Sequence, residues 1–155
     1  MQARLNHWQA NPNAMQAMLA LQKRVSAGPL EFSLQELVKT RASQINGCAY
    51  CLDMHTKDAR KAGESEARLY LLNAWRESPL YSERERAALA WTEALTNLAQ
   101  TRAPDADYAL LQEHFTPEEQ VELTLLIVTI NGWNRFAVGF RAIHPLGEES
   151  AAKSA

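Results

Sequence analysis

Strict alternation of apolar and polar residues is hard to find along this chain, and β-branched residues are sparse, so the strand signal is weak. Helix signals recur instead, several with start and stop chemistry attached. Asn13 to Ala27 reads as a first helix, stopped by Gly28-Pro29. Ser33-Leu34-Gln35-Glu36 has the spacing of a capping box, in which a hydroxyl and a carboxylate each satisfy the other residue's backbone N–H, and it predicts a helix running to about Ile45. Asn46-Gly47 then breaks the chain. A third helix is expected from about Cys48 to Gly63, with Lys57, Arg60 and Lys61 in the later turns, where cations suit the helix dipole. Ser65 caps a fourth, to about Arg76, and Pro79 closes it off. Ser82-Glu83-Arg84-Glu85 is another capping box, for a helix reaching about Ala99, and Pro104 opens a sixth that ends near His114. Thr116-Pro117-Glu118-Glu119 joins a capping box to a proline at the first helical position and starts a last helix running to about Arg141. His144-Pro145 and the Ala/Ser/Glu-rich tail after Gly147 read as a fraying end.

No internal repeat, low-complexity tract or long linker divides the 155 residues, so the expectation is one all-α domain, a bundle of six to seven helices spanning residues 1–155. The last helix is apolar on almost every side between Val121 and Val138. It is either the central helix of one subunit or a helix with one face covered by a second subunit.

Composition narrows the function. A formal net charge of -2, with the basic residues scattered, gives no electrostatic case for nucleic acid. The apolar stretch Val121 to Ile130, broken by Glu122, Thr124 and Thr129, falls short of the roughly 20 residues of a membrane span. The N-terminus lacks the apolar core of a secretory signal, which makes the cytoplasm the expected compartment. A disulfide serving only for stability is out of place there, so the two cysteines call for another explanation.

The informative segment is Gln44 to His55. Residues three and four apart share a helix face, so Cys48, Cys51 and His55 line one stripe. Cys48, directly after the Asn-Gly break, falls in the first turn, where unpaired N–H groups and the dipole favour a thiolate. His55, one turn beyond Cys51, can accept the thiol proton or return one to a leaving group. Four readings compete: a buried structural pair with a hydrogen-bonded histidine, a zinc site, a thioredoxin-like motif, and a redox dithiol on a helical frame. A closed zinc site wants four ligands, and His7, His114 and His144 are distant in sequence. The thioredoxin motif expects a βαβ context, which the helices deny. The redox dithiol is the reading adopted. Glu36, on the preceding helix, is the candidate to orient His55, although alone it is better explained as the third-position member of the Ser33 capping box. Asp53 points to another side of the helix and is expected to be solvated. Met15, Met18, Trp75, Trp91 and Trp133 read as core or interface packing.

Taken together, Glu36, Cys48-Ala49-Tyr50-Cys51 and His55, with Ser82 to Ala90 and Ile130-Asn131-Gly132-Trp133-Asn134-Arg135, resemble the AhpD-like alkylhydroperoxidases of the carboxymuconolactone decarboxylase family. The likeness covers most of residues 31–141. It implies an all-α fold assembling as trimers or hexamers, and peroxidase activity through the paired cysteines. On that likeness Cys51 attacks the peroxide, His55 and Glu36 relay protons, and Cys48 resolves the product. Some relatives carry a histidine where this chain has Tyr50, for which packing is the expected role. Members acting as muconolactone decarboxylases generally lack the cysteine pair, which disfavours that activity here. Asn134 and Arg135 either shape the site or cap a neighbouring subunit.

The expected cycle needs no metal, flavin or nucleotide cofactor; its partners are a peroxide substrate and a dithiol or disulfide-reductase reductant. The helix start favours Cys48 as the nucleophile, whereas the adjacency of His55 and the family likeness favour Cys51, which is the assignment taken. One alternative is a disulfide-exchange adapter that reduces a partner peroxidase. Another, of a different class, is a non-catalytic helical assembly or binding protein whose Cys-x-x-Cys senses redox state or binds zinc.

Overall fold

Residues 1–145 are described by the computed structural model, and every regular element among them is a helix. In chain order these are α1 (His7–Ala10), α2 (Pro12–Ser26), α3 (Phe32–Asn46), α4 (Ala49–Lys61), α5 (Glu66–Leu71), α6 (Glu83–Thr96), α7 (Leu98–Thr101), α8 (Asp105–His114) and α9 (Pro117–Phe140). The fourth expected helix is split: after Leu71 the chain tightens into a 3₁₀ helix, Leu72–Glu77, with Ala74 off the helical region at φ -116° and ψ 29°. The fifth ends at Thr96 and is followed by the separate α7. The tail expected to fray after Gly147 lies outside the described residues.

Local capping accounts for most of the boundaries. The Ser82 and Thr116 boxes are both closed, each hydroxyl accepting from the third-position N–H while that residue's glutamate accepts from the cap. Ser65 accepts from the Arg68 N–H at 3.2 Å. The Ser33 box does not form. Helix α3 begins at Phe32, placing Ser33 inside the helix, with Glu31 at the cap and no side-chain cap bond. Its start is tied by Gln35 instead, whose Nε2 donates to the Leu30 carbonyl at 2.9 Å. Glu36 is thereby released from any capping duty. At the front of the chain, α1 was not expected from the pattern; Asn6 Oδ1 caps it by accepting from the N–H groups of Trp8 and Gln9.

Helix α3 is buried on nearly all sides because it packs between α4, α6 and α9. Leu34 and Val38 meet Ala87, Ala88 and Trp91 of α6 and Leu123, Leu126 and Ile127 of α9. Leu37, on another side, packs with Leu72, Trp75 and Leu89. Each fully buried leucine contributes about 1.5–3 kcal/mol. Met15, Trp75 and Trp91 are buried, as core packing requires, while Met18 is only half-buried.

Helix α9 is a core helix, packing on α2, α3, α4, α6 and α8. Its outer stripe, Val121, Val128 and Val138, is nonetheless exposed. With 24 residues it is long and apolar enough, by length and composition alone, to cross a membrane, which the ten-residue stretch considered from sequence was not. The turn from α3 to α4 depends on Gly47 in the left-handed region at φ 64°, where a side chain would be strained. The Gly47 N–H donates to the Gln44 carbonyl and the Cys48 N–H to the Ser43 carbonyl.

Candidate active site

The α3–turn–α4 hairpin brings Glu36, Lys39, Cys48, Cys51 and His55 together. Cys48 occupies the N-cap of α4, one position earlier than the first turn expected for it. Its Sγ takes the place of the usual hydroxyl or carboxylate and accepts from the Cys51 N–H at 3.3 Å. Cys48 and Cys51 are joined as a disulfide, with Cα atoms 5.4 Å apart. Both are buried, yet they face differently. Cys51 lies on the wall of a cavity of about 640 Å³ that Cys48 does not line, and the pair clusters with Ala137 and, beside it, Ala142.

One turn beyond Cys51, His55 Nδ1 sits 2.9 Å from Glu36 Oε2, and Lys39 Nζ sits 2.8 Å from Glu36 Oε1. Burial pushes the Glu36 carboxyl up. The hydrogen bond and charge of His55, followed by the charge and hydrogen bond of Lys39, outweigh burial and hold it below the usual carboxylate range. An ionised Glu36 can only accept, so Nδ1 of His55 must donate, and in the neutral ring Nε2 is left as the acceptor. The arrangement places a cysteine pair, an imidazole with Nε2 as its acceptor and a carboxylate beside one cavity.

A network of amides holds the turn that carries Cys48. Asn46 Nδ2 donates to Oδ1 of both Asn131 and Asn134, each at 2.9 Å. Asn134 Nδ2 in turn donates to Ser43 Oγ at 3.0 Å. Ser43 is the residue whose carbonyl receives the Cys48 N–H, so α9 braces the start of α4 through side chains. Arg135 donates to the Asn131 carbonyl at 2.8 Å and to its Oδ1 at 3.1 Å. Asn134 thus braces the turn that carries Cys48, and Arg135 holds Asn131.

Two aromatic residues expected only to pack also border the cavity. Trp133 lies on the cavity wall, stacked on Trp8 with ring centroids 5.8 Å apart. Tyr50 also borders the cavity and is 38% exposed. Asp53 is turned away from the site and half-buried in a pair with Lys57, rather than simply solvated. The sequence reading missed Lys39, whose only signal was its one-turn spacing from Glu36. It also missed the N-terminal wall. Arg4 crosses the end of α9, its N–H donating to the Phe140 carbonyl and its guanidinium to the Gly139 carbonyl, both at 3.0 Å. His7 stacks on both Phe136 and Phe140, with ring centroids 5.6 Å from each.

Comparison with known proteins gives concordant findings. The family model described as the carboxymuconolactone decarboxylase family matches residues 12–94. The uncharacterized protein YdfG of Bacillus subtilis (strain 168) is 40% identical over 153 residues, covering 99% of this chain and 100% of that protein. The uncharacterized protein YnjA of Escherichia coli (strain K12) is 38% identical over 112 residues, 70% of this chain and 59% of that protein. Among solved structures, a protein of unknown function from Agrobacterium tumefaciens, provisionally described as the antioxidant defence protein AhpD, is 48% identical. It superimposes with a TM-score of 0.92 over 94% of this chain and 99% of its own. The debrominase Bmp8, at 20% identity and a TM-score of 0.81 over 92% of this chain and 76% of its own, shares the fold.

Proposed function

The chain belongs to the carboxymuconolactone decarboxylase family as an AhpD-like member, and from that premise we propose that it is a thiol peroxidase cycling Cys48 and Cys51 between dithiol and disulfide. The observation that carries the reading is the convergence on one cavity wall of Cys51, the tip of a cysteine pair within bonding distance, and His55 held by an ionised Glu36.

In the reduced protein, His55 Nε2 takes the Cys51 thiol proton. The thiolate attacks the distal peroxide oxygen, the O–O bond breaks, and Cys51 becomes a sulfenic acid. The departing alkoxide or hydroxide collects the proton from His55 and leaves as alcohol or water. Cys48 then displaces water from the sulfenic acid, forming the disulfide, and an external dithiol returns both thiols while becoming a disulfide itself. Cys51 is the attacking sulfur in this reading because it borders the cavity and Cys48 does not. The cavity and the burial of both sulfurs favour a small oxidant over a protein disulfide, which puts the adapter role second. We read the compartment as the reducing cytoplasm, and the exposed valine stripe of α9 as a face for self-association, testable by light scattering.

The test is steady-state reduction of an alkyl hydroperoxide and of hydrogen peroxide with a small dithiol. Cys51→Ser is expected to abolish turnover and His55→Ala to lower it about 100-fold, within the usual range for a lost acid–base group. Undiminished turnover in Cys51→Ser would sink the proposal.

A further inference from the structure

Lys39 is a buried ammonium, 5% exposed, on the same cavity wall as Cys51 and His55. Its Nζ lies 2.8 Å from Glu36 Oε1, while His55 Nδ1 takes the other oxygen at 2.9 Å; beyond that pair, the Phe32 ring is 6.0 Å away. A buried ion pair is a poor device for stability, because well-packed apolar side chains of similar volume usually serve as well or better. One placed against the other face of the carboxylate that orients a histidine invites a different explanation.

Building on the peroxidase reading, we propose that Lys39 is a positioning residue for the proton transfer: it fixes Glu36 as the acceptor of His55 and so keeps Nε2 of the ring free for the Cys51 proton. The charges show why. With Lys39 present, Glu36 and Lys39 cancel while His55 is neutral. When the Cys51 proton moves to His55, thiolate and imidazolium cancel as well. Without Lys39, Glu36 is a buried uncompensated anion, and the Glu36–His55 pair holds a proton from solvent more tightly, whichever atom carries it. The acceptor is then filled before Cys51 can use it. The other titratable groups on the cavity wall are His7, Tyr50 and Asp58, and Asp58 is paired with Lys61 at 3.6 Å. The stretch of α9 facing the cavity presents Trp133, Phe136 and Ala137, none of which titrates.

The test compares Lys39→Gln and Lys39→Met, which remove the charge, with Lys39→Arg, which keeps it. Two rates are followed against pH in reduced protein: alkylation of Cys51 by iodoacetamide in a Cys48→Ser background, and hydroperoxide turnover with Cys48 intact. Both charge-removing variants are expected to move the acid limb of each profile upward by about one pH unit, which is about tenfold at a fixed pH on the limb. Lys39→Arg should leave the limb at the wild-type position. A uniform fall at every pH, or an Arg variant that moves as far as the Gln variant, overturns the proposal. So does failure of both charge-removing variants to fold, since it would make Lys39 structural. If the wild type turns over no peroxide while its alkylation limb still shifts on loss of the charge, the peroxidase reading fails and the role of Lys39 stands.

Discussion

Helix α3 serves two carboxylates on opposite sides, and their partners are of different kinds. Toward the cavity, its own Glu36 is shared between Lys39 and His55. Away from the cavity, its Arg41 reaches Glu93 of α6 at 2.8 Å, and Glu93 also accepts from Trp75 Nε1 at 2.8 Å and from Arg76. Both carboxyls lie below the usual range. For Glu93, burial pushes up and is outweighed by Arg76, Trp75 and Arg41. Every partner of Glu93 is a guanidinium or an indole N–H, which donates and never accepts, so that cluster can only hold helices together. Glu36 has an imidazole as one partner, a ring that can both accept and give a proton, and it borders a cavity. Burial and depressed carboxyls are common to both clusters; the partner's ability to titrate separates chemistry from scaffolding.

The strongest way to break the contrast is to neutralise each carboxylate in turn. Glu36→Gln keeps the shape of the side chain but can no longer hold the His55 tautomer by charge. Hydroperoxide turnover per folded molecule is expected to fall by about 100-fold. Glu93→Gln should leave that quantity within about twofold. Equal losses in the two variants would dissolve the distinction.

Stability should show the reverse signature. Glu93→Gln removes the carboxylate that Arg41 and Arg76 share, and the expected cost in chemical denaturation is about 2–3 kcal/mol. That is below the roughly 3–5 of a fully buried pair because the Glu93 side chain is 17% exposed. The sign with pH follows from the lowered carboxyl. Glu93 contributes fully above its unfolded value of about 4.3, and the contribution is lost as pH falls through the lower folded value. The gap between wild type and variant should therefore be widest near neutrality and close below about pH 4. A gap that widened in acid would mean the Glu93 carboxyl is not depressed by its cluster.

What could be read beforehand divides along the same line of local against distant contact. The Ser82 and Thr116 boxes were legible because both partners lie within four residues, and both close. The Ser33 box had the same letters and failed. Gln35 and the Leu30 carbonyl set the helix start, and Glu36 is engaged by His55 nineteen residues on. The Cys48, Cys51 and His55 stripe was legible from helical spacing, and family likeness brought Glu36 to it. Lys39 offered only its one-turn spacing from Glu36, because its place beside His55 appears only once α4 is packed against α3. The bracing of Cys48 by Asn134 spans residues 91 apart at its Ser43 link, beyond any local pattern. The wall formed by His7 and Trp8 depends on rings contributed by α9 at the other end of the chain.

That wall supplies the smallest of the expected effects and the sharpest distinction between substrates. Helix α1 buries no residue of its own, and Trp8 is 45% exposed, so its hold on the cavity comes from stacking on Trp133 rather than from core packing. Trp8→Ala should cost little stability, because little buried surface is lost. A bulky apolar hydroperoxide that fills the cavity would lose ring contacts of the kind that contribute about 0.5–1.5 kcal/mol. Its kcat/KM should therefore fall by between about twofold and tenfold. Hydrogen peroxide, which has no apolar surface to lay against the ring, should be reduced at the wild-type rate. An equal fall for both substrates would place Trp8 with the residues that hold the site together, whereas loss confined to the bulky peroxide would assign the N-terminal wall to substrate choice and the α3–α4 hairpin to the chemistry.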